Sequence, residues 1–295
     1  MRPLPAATLD NLNPPVRGYR YFDHDDVELD RDAGVRSVKN RWLLAEYALL
    51  AYEDEARIGE HLAQRVRAVF ALSGVTHSGF GFVADLDGTD TVLSFRGTQV
   101  FKPGDALSKF RAIAQDYWTD ARIERRSVCD GTWVHAGFAD SCAELIERLQ
   151  SSGLLASPRR WWLAGHSLGG ALAVLAAERL AAIPDQRVVG VATYGQPRVG
   201  NDRHAARLEN LPLCRVVHGC DAIPSLPPVR LGFAHAPNEH LLASARRNDY
   251  PGTVLQHILG FWQRWRFGLG ALTPVALMDH APLYYVTHCY NEYVP

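Results

Sequence analysis

The sequence predicts the α/β fold class, with a central, mostly parallel sheet that carries helices on both faces. Strand-like and helical segments alternate from about residue 132 onward, and this alternation is typical of parallel sheets joined by crossover helices. Two apolar, β-branched runs at 188–194 and 213–218 have the composition of strands that are buried on both faces. Because no repeat, low-complexity tract or Pro/Gly linker divides the chain, we expect a single domain over 1–295.

The N-terminal third predicts an extension, one helix and an antiparallel part of the sheet. Residues 1–38, which are rich in Pro, Asp and Arg, are predicted to form a surface extension. Residues 39–52 predict an amphipathic helix with a buried stripe that includes Trp42 and Tyr47. Turn signals separate three strand-like runs and favour antiparallel hairpins. These runs are 66–72, 79–86 and 91–96.

The remaining two thirds alternate between strands and helices. Besides the two buried strands, the strands are predicted at 132–138 and 161–164, and the helices at 139–150, 171–180 and 202–208. After residue 228 the periodic pattern loosens.

The composition excludes several classes of function. The 31 basic and 32 acidic residues give a net charge of −1, so there is no electrostatic basis for nucleic-acid binding and no basic tail for anionic lipid. No run of 18 apolar residues predicts a transmembrane segment. The five cysteines are widely spaced and odd in number, which disfavours a disulfide framework or a zinc site and favours a reduced compartment. Since the first ten residues also lack the apolar core of a signal peptide, we expect a cytoplasmic or peripheral membrane location, with secretion open if the numbering is that of a mature chain.

The most informative motif is GHSLGG at 165–170, which lies between an apolar strand-like run and a helical run. A G-x-S-x-G pattern in this context predicts a nucleophile elbow, in which Ser167 projects its hydroxyl from a tight, strained turn. A Cβ atom at Gly165 or Gly169 would clash in that turn. The N–H of Leu168 opens the helix without an intrahelical partner and is free to face a developing oxyanion. The alternative is a small-residue turn that only tightens strand–helix packing.

A serine nucleophile requires a histidine base, and the base requires a carboxylate that fixes its tautomer. Asp221 follows the apolar strand at 213–218 and precedes a proline-rich turn, which makes it the candidate acid. An ordinary turn aspartate is the alternative for Asp221. A competing carboxylate, Asp202, opens a predicted helix and resembles a cap.

Two late histidines compete for the role of the base. His280 precedes an Ala-Pro pair that places it before a helical or turn start. His288 falls within a segment that fits a terminal helix, where a packing or surface histidine is more common. Four further histidines lack the placement of His280, namely His218, His235, His240 and His257.

A second oxyanion donor is predicted at the end of the strand 91–96. This strand leads into Gly97, where the chain can turn tightly, and Thr98 then offers both an N–H and a hydroxyl. A strand-terminating Gly-Thr turn without function is the alternative.

Five sequence blocks occur in one order and together resemble the class 3 lipases, the fungal-type triacylglycerol lipase family. The blocks are SFRGT at 94–98, VHAGF at 134–138, GHSLGG at 165–170, YGQPRVGN at 194–201 and VHGCDAIPSLP at 217–227. The pair Asp279–His280, with Tyr285 five residues later, resembles the bacterial form of the family's last motif. The resemblance covers roughly 40–290 in scattered blocks.

The resemblance implies an α/β-hydrolase fold and assigns roles to matching positions. Ser167 would be the nucleophile, Asp221 the orienting acid and His280 the base, while Thr98 and Leu168 would form the oxyanion hole. The resemblance also implies a structural role for the block at 194–198, in which Arg198 anchors backbone or carboxylates rather than substrate.

Two segments depart from the family pattern. An insert at 99–115 follows Thr98 and is a candidate enlarged lid. The predicted substrate-facing residues of this lid are Phe101, Leu107, Phe110 and Ile113. The segment 250–275 is rich in aromatic residues and is a candidate cap or lipid-interface segment, with a helix packed on the core as the alternative.

The resemblance implies a serine ester hydrolase that cleaves lipophilic esters such as acylglycerols through an acyl-enzyme. We expect no metal or organic cofactor, since the serine supplies the covalent chemistry. The expected partner is a lipid or ester substrate, at a lipid–water interface if the insert is a lid, and the oligomeric state stays open. The alternatives are a phospholipase A1, a short-chain carboxylesterase and, least favoured, a non-catalytic lipid-binding protein.

Overall fold

A computed structural model describes most of the chain. The described residues are 1–6, 11, 14–22, 28–73, 80–98, 124–219, 221, 223–242 and 279–294. The predicted lid insert 99–115, with Phe101, Leu107, Phe110 and Ile113, and the predicted aromatic segment 250–275 lie outside the described residues.

A seven-stranded sheet forms the centre of the molecule, in the order β1-β2-β3-β6-β7-β8-β9. Its strands are β1 (Ala68–Ser73), β2 (Phe80–Asp85), β3 (Asp90–Phe95), β6 (Arg159–His166), β7 (Gln186–Tyr194), β8 (Leu213–His218) and β9 (Glu239–Leu242). The first three strands pair antiparallel, as the turn signals predict, and all pairs from β3 to β9 are parallel. A separate hairpin consists of β4 (Arg125–Cys129) and β5 (Thr132–His135).

Helices cover both faces of the sheet, which confirms the predicted fold class. The described helices are α1 (Val38–Leu50), α2 (Glu55–Leu62), α3 (Ala136–Ser151), α4 (Leu168–Ala181), α5 (Asp202–Arg207) and α6 (Pro282–Tyr293). Alternate side chains of β6 point to opposite faces, so Trp162 packs into the cluster with α1 and α6, and Trp161 into the cluster with α3 and α4. None of the described helices is long and apolar enough to cross a membrane.

Helix α1 is buried on almost every side, so the prediction of an amphipathic helix with one buried stripe is wrong. All residues from 40 to 50 are buried. The C-terminal helix α6 packs against α1, and residues of the N-terminal segment belong to the same hydrophobic cluster. The side of α1 that faces away from the sheet is therefore covered as well. The buried Glu46 accepts hydrogen bonds from the Trp42 indole and the Tyr19 hydroxyl and pairs with Arg2.

Two element boundaries also differ from prediction. The strand expected at 132–138 ends at His135, because helix α3 begins at Ala136, three residues earlier than predicted. The edge strand β9 was not predicted, since it is only four residues long and mostly exposed. Its neighbour β8 has the bounds that the sequence predicts.

Candidate active site

The turn between β6 and α4 places Ser167 in a strained backbone conformation. Its φ of 58° and ψ of −126° lie outside the regions that residues with a Cβ ordinarily adopt. A Cβ on Gly165 would lie 2.1 Å from the Gly169 carbonyl oxygen, and a Cβ on Gly169 would lie 2.3 Å from the Phe95 carbonyl oxygen. Both glycines are therefore required by close packing, and the turn has the geometry of a nucleophile elbow.

Ser167, His280 and Asp221 come together at this turn, although 113 residues separate the serine from the histidine. The His280 Nε2 atom lies 2.8 Å from Ser167 Oγ, and the His280 Nδ1 atom lies 2.9 Å from Asp221 Oδ2. A carboxylate only accepts hydrogen bonds, so Nδ1 carries the proton and Nε2 is left to accept the serine hydroxyl. This is the arrangement of a nucleophile, a base and an orienting acid.

Three further hydrogen bonds hold Asp221 in place. Its Oδ1 atom accepts the Ile223 N–H at 2.9 Å, and its Oδ2 atom accepts the Tyr285 hydroxyl at 2.6 Å. Its own N–H donates to the His218 carbonyl at 3.0 Å. Gly195, at a φ of +61°, lets the acid and base meet, since a Cβ there would lie 2.6 Å from Asp221 Oδ2.

Tyr285 is a site residue whose contact the sequence does not reveal. It lies on α6, 64 residues after Asp221, and its place in the last motif was the one signal available. Burial and the Asp221 carboxylate raise the pKa of Tyr285 well above its ordinary value. The hydroxyl therefore stays protonated and remains a donor to the carboxylate.

The two predicted oxyanion donors belong to chain segments that lie next to the serine. Leu168 is the first residue of α4, and its N–H has no hydrogen-bond partner among the described residues. Thr98 is exposed and follows Gly97, at which a Cβ would lie 2.8 Å from Ser167 Cβ. The loop that carries Thr98 therefore passes directly beside the nucleophile.

The competing candidates have other contacts. His288 lies within α6, as expected, and its ring centroid is 4.3 Å from that of His218. Asp202 is in the first turn of α5, but the cap of that helix is Asn201, which accepts the His204 N–H. Arg198 donates to the backbone carbonyls of Ser225 and Pro227, which agrees with an anchoring role.

The described residues show neither a metal site nor a disulfide bond. Within the part of the chain that the structure describes, no group of His, Cys, Asp and Glu side chains has the arrangement of a metal site. The four described cysteines, Cys129, Cys142, Cys214 and Cys289, are free thiols.

A mostly parallel sheet with an elbow serine, an acid and a base at the ends of its strands defines the α/β-hydrolase class. Within this class, residues 92–231 match the model of the family described as lipase (class 3). Over this range the chain is similar to the class 3 lipase family, as the resemblance of its sequence blocks predicts.

Curated relatives match parts of the chain. It is 36% identical over 126 residues to the secreted mono- and diacylglycerol lipase 1 of Fusarium solani, a match that covers 40% of this chain and 37% of the relative. It is 32% identical over 178 residues to a lipase of Rhizopus niveus, with 57% of this chain and 43% of the relative covered. The chain therefore spans about two fifths of the length of these relatives.

A solved structure shows the same fold. The structure described as a serine protease triad that forms the catalytic centre of a triacylglycerol lipase superimposes with a TM-score of 0.54 at 25% identity. The superposition covers 69% of this chain and 78% of the other.

Proposed function

We propose that this protein is a serine ester hydrolase that cleaves acyl esters of lipophilic substrates, such as acylglycerols, through an acyl-enzyme. The observation that carries the proposal is the contact of 2.8 Å between His280 Nε2 and Ser167 Oγ, with Asp221 on the other ring nitrogen. The match of residues 92–231 to the class 3 lipase family supports the choice of ester chemistry.

In the proposed first half-reaction, Ser167 Oγ attacks the ester carbonyl while His280 Nε2 takes the hydroxyl proton. The Asp221 carboxylate stabilises the imidazolium that forms. The N–H of Leu168 and the N–H or hydroxyl of Thr98 donate to the oxyanion, and each such donor lowers the barrier by about 3 kcal/mol. His280 then protonates the leaving alcohol, which leaves an acyl-enzyme at Ser167.

In the second half-reaction, water replaces the alcohol and the same groups act again. His280 takes a proton from water, the resulting hydroxide attacks the acyl carbonyl, and collapse of the intermediate returns the proton to Ser167 Oγ. The products are a fatty acid and an alcohol, and every step uses water and groups of this chain, so no cofactor enters the scheme.

The preference for lipophilic esters is proposed from the relatives. The Fusarium solani relative is named a mono- and diacylglycerol lipase, and the superimposed structure is that of a triacylglycerol lipase. A phospholipid or a short soluble ester in place of the acylglycerol would use the same three side chains, so these alternatives are outcomes of the test.

The test is hydrolysis of p-nitrophenyl esters from acetyl to palmitoyl by the wild-type protein and by Ser167→Ala. We expect activity that increases when a long-chain ester exceeds its solubility and that disappears in the variant. Rates on triacylglycerol and phospholipid emulsions then distinguish a lipase from a phospholipase A1. Activity on short soluble esters alone would identify a carboxylesterase, and activity that survives in Ser167→Ala would contradict the proposal.

The cellular location expected from the sequence differs from the location that the name of one relative indicates. The expected cytoplasmic location has no support in the comparisons, since the Fusarium solani relative is named as secreted. We therefore propose secretion, which detection of the protein in culture medium rather than in cell lysate would test.

A further inference from the structure

A buried tyrosine–histidine pair lies directly behind the candidate active site. Tyr52 follows helix α1, and His166 is the last residue of β6, immediately before the serine. Each residue is only 3% exposed. The Tyr52 hydroxyl oxygen lies 2.8 Å from His166 Nδ1 and 3.0 Å from the backbone nitrogen of Gly97, and His166 Nε2 lies 2.6 Å from the His280 carbonyl oxygen.

These three contacts are compatible with one protonation state. A carbonyl oxygen only accepts, so His166 Nε2 carries a proton and donates it to His280. In a neutral imidazole the other nitrogen then accepts, so the Tyr52 hydroxyl donates to His166 Nδ1. The hydroxyl oxygen keeps a lone pair for the Gly97 N–H.

The surroundings favour this state. Burial and the neighbouring His280 ring lower the pKa of His166 well below its ordinary value, and burial raises the pKa of Tyr52. The histidine therefore stays neutral and the tyrosine protonated. Neutrality also matters for His280, because its ring centroid is 4.6 Å from that of His166 and a second positive charge there would oppose the imidazolium of the proposed mechanism.

We infer that Tyr52 and His166 are positioning residues for the proposed ester hydrolysis: together they fix the Gly97–Thr98 loop beside the oxyanion and the backbone of His280 beside the serine. The inference rests on the proposed function. Neither residue touches the reacting atoms; each acts through a backbone group of the loop that it holds.

The close packing around Gly97 supports a positioning role. A Cβ at this glycine would lie 2.5 Å from the Tyr52 hydroxyl oxygen and 2.9 Å from the His166 carbonyl oxygen. The loop therefore rests on the pair with no intervening side chain. Without the hydroxyl, the buried Gly97 N–H loses its partner and the loop can shift, and a displacement of about 1 Å costs up to about a hundredfold in rate.

The test compares Tyr52→Phe with Tyr47→Phe, a matched control. Tyr47 lies on α1, is also buried, and its hydroxyl has no hydrogen bond to a described residue. Active sites are titrated with a fluorophosphonate, and kcat and KM are then measured on a soluble ester. We expect Tyr52→Phe to lower kcat by roughly 10- to 100-fold with KM changed less than about twofold, and Tyr47→Phe to match the wild type.

A second measurement separates positioning from loss of structure. A boronic acid forms a tetrahedral adduct on the serine, with an oxygen in the oxyanion hole, so its affinity should fall in Tyr52→Phe in proportion to kcat. In the double variant with His166→Leu, the loss should be less than the product of the single losses, because both changes remove one network.

The outcomes are distinct. Equal kcat in Tyr52→Phe and Tyr47→Phe, for an active wild type, would overturn this inference alone. A wild type that neither hydrolyses esters nor reacts with the fluorophosphonate would overturn the proposed function, and the inference with it. Should Tyr52→Phe not fold, histidine nitrogen chemical shifts of the wild type decide: a proton on His166 Nε2 supports the network, and a proton on Nδ1 overturns it.

Discussion

The two ends of the parallel strands hold buried carboxylates in different ways. Where the strands begin, Asp90 lies between two arginines, with Arg31 Nη1 at 3.3 Å and Arg160 Nε at 3.5 Å. A second ion pair there joins Asp85 to Arg159 at 3.3 Å. Permanent positive charges therefore neutralise this end of the sheet.

Where the strands end, Asp221 has neutral partners. The Tyr285 hydroxyl, the Ile223 N–H and the His280 ring donate to it, and no Lys or Arg among the described residues pairs with it. Its charge is thus available to the imidazolium that forms on His280 in the proposed mechanism. In the proposed mechanism the same type of residue therefore serves stability at one end of the strands and chemistry at the other, and its partners decide which.

The largest effect is expected for Asp221→Asn. An amide cannot hold the histidine in the required tautomer or stabilise its charge, so kcat should fall by roughly 10³- to 10⁴-fold. Thermal unfolding should change little, because the amide has a similar shape. Kinetics on a soluble ester and a melting curve measure both, and a loss of less than about tenfold would contradict the role of Asp221.

At the opposite end, Asp90→Asn should affect stability instead of rate. The change leaves two arginines without their buried partner, but these are partly exposed, so we expect a loss of about 2 kcal/mol in the free energy of unfolding. A matched control is Asp140→Asn, which removes an ion pair to Arg126 that is more than half exposed and should cost almost nothing.

Urea unfolding and active-site-normalised kcat distinguish the two ends. If Asp90→Asn lowered kcat as Asp221→Asn does, the division between a structural and a chemical end would be wrong.

The sequence predicts this division only in part, for physical reasons. The elbow is encoded in six consecutive residues at 165–170, and β8 in one apolar run, so local patterns suffice for both. The contact of Tyr52 with His166 joins residues 114 apart, and no local period encodes it.

Long-range packing explains the other differences. Helix α1 is buried because α6 and the N-terminal residues cover its outer face, which the pattern of α1 alone cannot indicate. The contact of Tyr285 with Asp221 depends in the same way on where α6 docks. The edge strand β9 is too short and too exposed to give an alternating signal.

Tyr285→Phe should lower kcat less than Asp221→Asn does. It removes one neutral donor from Asp221 and leaves the other two, so we expect kcat to fall by about tenfold, or about 1.4 kcal/mol. The control is Tyr284→Phe, in which the lost hydroxyl donates to the Pro5 carbonyl outside the site. An equal effect of the two variants would contradict a specific role for Tyr285.

The smallest effect concerns Glu178 on α4, a partly exposed carboxylate whose partners are an arginine and a histidine. Its Oε1 atom accepts from Arg207 at 2.8 Å, and its Oε2 atom lies 3.3 Å from His204 Nε2. Burial alone would raise the pKa of Glu178, but the hydrogen bonds and charges of His204 and Arg207 outweigh it and hold the pKa below its ordinary value.

A depressed pKa in the folded state adds stability above the unfolded pKa of 4.5, and this stability is lost as the pH falls through the lower folded value. Glu178→Gln should therefore lower the free energy of unfolding by less than about 1 kcal/mol at neutral pH, and the difference from the wild type should shrink at a pH below 4.5. Urea midpoints at both pH values measure it. The exposed Glu147 of α3, which has no ion pair to a described residue, provides the control Glu147→Gln. An equal deficit at both pH values would mean that the carboxylate of Glu178 stabilises the fold by packing and not by charge.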